Sequence, residues 1–392
     1  MKPLRVGVAG LGRAFTLMLP TFLQDPRVGI VAACDPWEPA RARFEQDFGT
    51  RAWDSMEQLC ADPRVDVVYV ATPHQMHAQH VCQAAAHGKH VLVEKPMAIT
   101  LAECDAMIAA AIRAGTHVVV GHSHSFNAPV QRAVELLRSG ELGALRMVHA
   151  LNCTDFLYRP RRPEELDTAS GGGVVFSQAA HQVDVVRLLA CANGPAPVRN
   201  VRAHTGNWDP QRPTEGAYSA LLGFEGGAFA SLTYSGYGHF DSDALMGWTS
   251  EMGQTKSPQD YGQARRRLAA GNVGADEERR LKAARNYGGS LYQPPILASA
   301  PAHQHFGHVV ASCERGDVRL MPAGLEVYLD GATRSEALPV PRVPRVEVID
   351  ELCRTVVEGG SPVHDGAWAR ATLAVCLAIL QSAAEQRDII PG

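Results

Sequence analysis

Through the first third of the chain, short, mainly apolar runs alternate with segments of helical period. Leu4–Ala9, Gly29–Cys34, Val65–Val70, Val91–Val93 and His117–Gly121 read as strands, each a continuous run rich in Val, Ala, Ile or Leu. Strands covered on both faces of a parallel sheet have this texture, whereas half-exposed strands alternate. Between them the pattern predicts helices over Thr16–Gln24, Ala40–Phe48, Ser55–Ala61, Met76–His87 and Leu101–Ala114, with Gly88 stopping the fourth. Strands separated by helices in this order predict a doubly wound parallel sheet.

From Asn127 the rhythm changes. After a helix over Pro129–Arg138, alternating stretches at 145–153, 198–205, 216–224 and 228–236 predict an antiparallel sheet with one covered face. Further strands fall near Val318 and Val327–Leu329, and helices over Val346–Glu358 and Trp368–Gln386 follow. Residues 248–301 break the pattern and carry Arg265-Arg266-Arg267 and Glu277-Glu278-Arg279-Arg280. They predict an insertion with one or two exposed helices, serving as a lid or a subunit arm. The fold class is therefore α/β. A dinucleotide-binding domain over 1–123 is expected ahead of an α+β domain over 124–392, with an open, mainly antiparallel sheet for substrate and oligomer contacts.

Composition narrows the function classes. Net charge is -4, from 37 basic and 41 acidic residues, and no basic surface for nucleic acid is indicated. No apolar run is expected to reach the ~20 residues of a membrane helix; the longest, near Ala371–Leu380, is about half that. The opening residues show no secretory pattern. Nine dispersed cysteines without CxxC or metal spacing predict reduced thiols and a cytoplasmic protein.

The first chemical signal is Gly10-Leu11-Gly12-Arg13-Ala14-Phe15, between a strand and a helix. Gly10 permits a tight turn. Gly12 lets the backbone approach a pyrophosphate seated on the helix N-terminus. Phe15 stands where a third glycine would pack helix on strand, which implies a looser contact or a bulkier packing role. A plain strand–turn–helix reads the same way. Asp35 ends the second strand, where a carboxylate accepts ribose hydroxyls and repels a 2′-phosphate, favouring NAD over NADP. It could equally cap the next helix, in Asp35-Pro36-Trp37-Glu38. The second signal is His90-Val91-Leu92-Val93-Glu94-Lys95-Pro96. An apolar strand ending in an acid, a base and a proline puts Lys95 at the carboxyl edge of the sheet, where such folds bind ligands. A strand-end salt bridge with Glu94 is the structural alternative.

Glycine turn, Asp35, Ala71-Thr72-Pro73-His74 and Glu94-Lys95-Pro96, in this spacing, resemble the Gfo/Idh/MocA oxidoreductase family. Gly171-Gly172-Gly173-Val174-Val175-Phe176-Ser177-Gln178-Ala179-Ala180-His181-Gln182-Val183-Asp184 resembles that family's glycine-rich Asp-x-Gly-x-His-x-x-Asp segment. The match spans both halves of the chain, and its details look closest to the phthalate 4,5-cis-dihydrodiol dehydrogenase-like branch. The resemblance implies a Rossmann domain, an α+β domain and hydride transfer between NAD(P) and a hydroxyl or carbonyl carbon. It implies cofactor contacts at Gly10, Gly12, Arg13, Ala14, Phe15, Asp35, Ala71, Thr72, Pro73, His77, Glu94 and Lys95. Two departures stand out. The motif aspartate is Ser177 and its glycine is Ala179, and the usual aromatic and arginines after the fifth strand are Gly121-His122-Ser123-His124-Ser125-Phe126.

The expected activity is oxidation of a cyclic cis-diol acid, with Lys95 and His181 handling the proton. Lys95 serves as proton donor or acceptor if its pKa is lowered, or as an ammonium stabilising an alkoxide. His181 has an ordinary pKa near 6.5, suited to the task at neutral pH, or is a buried structural histidine. It is expected in a helix over Phe176–Ala190, on one face with Asp184 and with Ser177, which could orient the imidazole or touch substrate. His122 and His124 are expected to add imidazoles to the substrate site. Arg159 and Arg161, on the proline-stiffened loop Tyr158-Arg159-Pro160-Arg161-Arg162-Pro163, either grip substrate carboxylates or form a solvated basic loop. His303-Gln304-His305-Phe306-Gly307-His308 invites a metal, but no acid or cysteine lies near in sequence, so none is expected. The remaining readings are a sugar or polyol dehydrogenase of the same family, and a catalytically silent NAD-binding regulatory protein. A homodimer or homotetramer through the C-terminal sheet is expected.

Overall fold

The computed structural model describes residues 2–271, 274–295, 297 and 300–392. In chain order its elements are β1 (Leu4–Ala9), α1 (Arg13–Gln24), β2 (Val28–Cys34), α2 (Glu38–Phe48), β3 (Ala52–Trp53), α3 (Met56–Ala61), β4 (Val67–Val70), α4 (His77–Ala86), β5 (His90–Val93), α5 (Leu101–Ala114) and β6 (Val118–Val120). There follow α6 (Ala128–Arg138), β7 (Leu145–Cys153), α7 (Ala180–Ala190), β8 (Val198–Gly206), β9 (Ala217–Phe224), β10 (Phe229–Ser235), α8 (Gln263–Gly271) and α9 (Ala275–Ala284). The last are β11 (His308–Cys313), β12 (Gly316–Met321), β13 (Gly324–Leu329), β14 (Ala332–Ala337), α10 (Val346–Val356) and α11 (Gly366–Glu385).

The chain forms two compact units. The first takes in residues 1–122, 276–298 and 342–373; the second takes in 123–275, 299–341 and 374–392. Each is assembled from three stretches of chain, so the segment after α8 and the one carrying α10 fold with the N-terminal sheet. Of the expected insertion, residues 272, 273, 296, 298 and 299 lie outside the described ones.

The first unit holds a parallel sheet in the order β3-β2-β1-β4-β5-β6. Its strands are apolar throughout because both faces are covered: Val67, Val68, Tyr69, Val70, Val91 and Val93 are all 0% exposed. Strand order reverses between β1 and β4, which places the turn after β1 beside Ala71-Thr72-Pro73 at the carboxyl edge. A capping box between Thr100 and Glu103 starts α5, and Gly115 in a left-handed conformation stops it. The late segments dock on named groups. The Tyr287 ring meets Phe15 edge-on with centroids 5.2 Å apart, and its hydroxyl donates to Asp47 Oδ2 at 2.7 Å. The Thr21 hydroxyl donates to the Pro344 carbonyl at 2.6 Å.

The second unit holds a sheet in the order β14-β13-β12-β11-β7-β10-β9-β8. Every neighbouring pair is antiparallel except β10 with β7. On β10, Ala230, Leu232 and Tyr234 are buried, while Phe229 is 43% exposed. The alternation is that of a sheet with one covered and one open face.

One expectation about length is corrected. α11 has 20 residues and a mean hydropathy of 1.4 over its most apolar window, enough by length and composition to cross a bilayer. Half of that window is buried inside the protein, as in a core helix. The Ser382 hydroxyl near its end donates to the Arg387 carbonyl and accepts from Ala203 N of β8.

Candidate active site

In the first unit the glycine turn is a cradle. Gly10 has φ +91°, and a Cβ there would lie 2.9 Å from the Ala71 carbonyl oxygen, so only glycine lets the two loops close up. Gly12 is the N-cap of α1; no side chain caps this end, and nothing lies within 4 Å of where its Cβ would be. An uncapped helix N-terminus with open space before it suits a diphosphate. Arg13 is exposed, with its guanidinium 3.4 Å from the Thr16 hydroxyl, and Ala14 is half-buried. Phe15 is fully buried against Tyr287, the bulkier of the two packing roles open to it.

Asp35 works on the main chain around it. Oδ2 accepts from Leu11 N at 2.7 Å, inside the glycine turn, and Oδ1 accepts from Trp37 N at 2.8 Å. It is not the helix cap: Trp37 is the N-cap of α2 and makes no side-chain cap bond. Each carboxylate oxygen has a further lone pair, so two ribose hydroxyls can still be accepted. The residues therefore fit a nicotinamide dinucleotide with an unphosphorylated adenosine ribose.

At the ends of β4 and β5 the two loops are tied together. His77 is fully buried, with Nε2 2.9 Å from the Thr72 carbonyl and Nδ1 3.0 Å from the Pro96 carbonyl. Burial lowers its pKa, against the pull of the Thr72, Pro96 and Met97 main chain. His77 thus supports the cofactor loops from behind. The Thr72 hydroxyl lies 3.1 Å from His80 Nδ1; Ala71 is buried, and Pro73 is half-buried. Glu94 turns to Tyr69, whose hydroxyl donates to Oε1 at 2.6 Å. Burial raises the Glu94 pKa, opposed by that bond and by the charges of Arg345 and Lys95. Lys95 is half-buried at the strand end, followed by a cis peptide bond to Pro96. His122 is buried in this unit, 3% exposed.

In the second unit an imidazole cluster is the central feature. The His181 ring meets His124 with centroids 4.7 Å apart at 72°, and Phe306 packs on both, at 4.8 and 5.1 Å. Asn127 Nδ2 donates to the Gln304 carbonyl at 2.8 Å and to His124 Nδ1 at 3.0 Å. The carbonyl fixes the amide orientation, so Nδ1 of His124 is the acceptor and Nε2 carries its proton.

The segment bearing His181 differs from the expected continuous α-helix. Val175–Ala179 form a π-turn, and α7 begins at Ala180. The wider turn rotates Ser177 relative to His181, so spacing by four does not align them. The Ser177 hydroxyl donates back to the Gly173 carbonyl at 2.5 Å. Asp184 bonds the Ser125 hydroxyl, fixing the segment that carries His124. Sequence reasoning missed Glu215, which holds this entrance. Its Oε1 accepts from Val175 N at 3.0 Å, and its Oε2 accepts from the Thr214 and Thr168 hydroxyls. A Cβ at Gly173 would fall 2.0 Å from that carboxylate, which is why glycine stands there.

The arginine loop is not a uniformly solvated one. The Arg161 guanidinium lies 3.6 Å over the Phe156 ring and donates to the Phe156 carbonyl at 2.6 Å. Burial pushes its pKa down to about 10, opposed by Glu165. Arg159 is exposed, 5.4 Å over the same ring. Phe156 meets Tyr234 edge-on at 6.4 Å, and Tyr234 lies parallel to Phe306 at 6.1 Å. A ladder of rings thus joins Arg161 to His181. His303 and His305 are buried, and the His305 ring bonds the Thr249 carbonyl at 2.8 Å. Among the described residues no group of three metal-binding side chains gathers there or elsewhere.

A switch-point dinucleotide cradle in one unit and a histidine–arginine cluster in the other define an oxidoreductase. The chain belongs to the Gfo/Idh/MocA family. The family's NAD-binding Rossmann domain matches residues 4–122, and its C-terminal domain matches residues 130–246. It is 48% identical over 385 residues to the 1-carboxy-3-chloro-3,4-dihydroxycyclohexa-1,5-diene dehydrogenase of Comamonas testosteroni, covering 96% of this chain and 94% of that one. A dehydrogenase of Bordetella bronchiseptica RB50 of known crystal structure superposes with a TM-score of 0.91 at 40% identity, covering 99% of this chain and all of that one. The trans-1,2-dihydrobenzene-1,2-diol dehydrogenase of Mus musculus is 28% identical over 64% of this chain and 74% of its own. The protein is an NAD-binding oxidoreductase with the parallel and mainly antiparallel sheets expected of that family.

Proposed function

We propose that the protein oxidises a carboxylated cyclic cis-diol, with Lys95 and His181 handling the hydroxyl proton and Arg161, assisted by Arg159, holding the carboxylate. The observation that carries this reading is the ring ladder from the buried Arg161 guanidinium to His181. A guanidinium already desolvated gains more from an anion than a solvated one, because the cost of stripping its water is met in folding. The Comamonas relative, whose name gives a carboxylated dihydroxy ring, supports the same substrate class.

Oxidation removes a hydride from the carbinol carbon and a proton from its oxygen. NAD, when bound, takes the hydride. Lys95 receives the proton or, as an ammonium, stabilises the developing alkoxide, and His181 is the second group suited to take the proton. Where the diol ring already carries two double bonds, the ketone so formed tautomerises to an aromatic catechol, which draws the reaction forward. Asp35 selects NAD over NADP. On the open sheet face, Leu221, Phe229 and Tyr328 stand exposed on one side of the strands, which supports assembly into a homo-oligomer there.

The test is NADH formation by purified protein on a panel of cyclic cis-diols with and without a ring carboxylate. Turnover confined to the carboxylated members is expected. Preference for neutral sugars or polyols would replace this reading, and no turnover on any member would refute it.

A further inference from the structure

Glu251 stands beside the ring ladder. One carboxylate oxygen, Oε1, accepts from Asn152 Nδ2 at 3.1 Å. Asn152 is itself fully buried, and its Oδ1 accepts from the Ser242 hydroxyl at 2.9 Å, so the amide is locked in orientation. The main chain is fixed too: His305 N donates to the Glu251 carbonyl at 3.2 Å, one residue before Phe306. Asn152 and Tyr234 are register partners on β7 and β10, so their side chains stand together on the covered face. The Tyr234 hydroxyl lies 3.1 Å from that of Thr154 and is close enough to feel Glu251, Arg159 and Arg161. Among the described residues no group donates to Glu251 Oε2, and the side chain is half-buried.

Glu215 commits both of its oxygens to neighbouring groups. Glu251 is anchored through one oxygen by a group that cannot turn and presents the other. A partly desolvated carboxylate in that state is a strong acceptor for an O–H donor. It sits in the same neighbourhood as two guanidiniums, which favour an anion. A ligand reaching both would carry an anionic group and a hydroxyl donor.

We infer that Glu251 is a specificity-determining residue that accepts a hydrogen bond from a hydroxyl of the substrate, while Arg161 takes its carboxylate. The inference rests on the diol-acid reading above and adds the group that reads the hydroxyl end. It also gives the segment after β10 a part in the substrate site.

Two ligands separate the roles without any turnover: benzoate, which has the carboxylate alone, and a dihydroxybenzoate with adjacent hydroxyls. Their binding to the NAD-loaded protein is measured by calorimetry for wild type, Glu251→Gln and Glu251→Ala. Glutamine keeps the acceptor for Asn152 and removes the charge. Wild type should bind the dihydroxy acid more tightly than benzoate, and Glu251→Gln should weaken the dihydroxy acid about tenfold, the worth of one charge-assisted hydrogen bond. Benzoate should bind Glu251→Gln as well as wild type or better. Equal affinity of wild type for the two ligands would overturn the inference. So would a parallel loss of both in Glu251→Gln, or an unchanged preference in Glu251→Ala. Failure of the diol-acid reading is seen separately, as absence of NADH formation by wild type.

Discussion

The carbonyls of Thr72 and Pro96 are joined by one imidazole, that of His77, at 2.9 and 3.0 Å. The first carbonyl lies in the loop after β4 and the second directly follows Lys95. Burial lowers the ring's pKa, and in its neutral form the imidazole donates to one carbonyl at a time. His77→Ala should loosen both loops at once. The expected outcome is about tenfold weaker NAD binding, read by calorimetry, together with a lower kcat. Unchanged NAD affinity would show that the loops hold their positions without the ring.

Asp35→Ala removes the acceptor for Leu11 N and the negative charge at the end of β2. NAD affinity should fall, and kcat/KM should shift toward NADP by about tenfold or more. The ratio of kcat/KM for the two cofactors is the readout. A constant ratio, with a lowered Tm, would leave Asp35 as a support for the glycine turn alone.

Arg161→Met keeps much of the packing on Phe156 and removes the buried charge. KM for a carboxylated diol should rise about tenfold or more, while that for a neutral diol stays within a factor of about two. Parallel changes in both would reject the carboxylate contact.

Acid stability should report the Arg5–Asp66 pair, which links the start of β1 to the residue before β4. Arg5 Nε and main-chain N both donate to Asp66 Oδ2, at 2.9 and 3.0 Å. The Arg5 bond, more than the opposing burial, holds the Asp66 carboxyl below its ordinary value of 3.8. A carboxyl whose pKa is depressed by folding contributes stability above the unfolded value and loses it as pH falls toward the folded one. Asp66→Asn should therefore lower Tm at pH 6, with the gap to wild type closing as pH falls below about 3.8. A gap independent of pH would assign the loss to packing.

Much of this was legible because local chemistry dictated it. Gly10 must be glycine at φ +91°, and the sheet's apolar strands announce two covered faces. The helix over Leu101–Ala114 has both its caps in the sequence, Thr100 with Glu103 and then Gly115. What stayed hidden depends on partners distant along the chain. Phe15 in the third glycine position makes sense only with Tyr287, which the fold returns from far downstream. Glu215 and Glu251 belong to no local pattern, because their partners lie on other loops and strands. The π-turn at Val175–Ala179 defeats a reading by helical period, since one wide turn re-aims every side chain before it. The alternative reading of Asp35 as a helix cap failed for a related reason: the chain needs two more residues to enter α2, and Trp37 takes the cap position.

The central claim places Lys95 at the proton of a carboxylated cyclic diol. It is tested most directly by comparing wild type with Lys95→Ala for NADH formation on such a diol, with NAD binding measured on the same samples. NAD should bind both proteins within a factor of about three, while turnover falls by at least about a hundredfold in the variant. A variant that retains most of its turnover with NAD bound would contradict it.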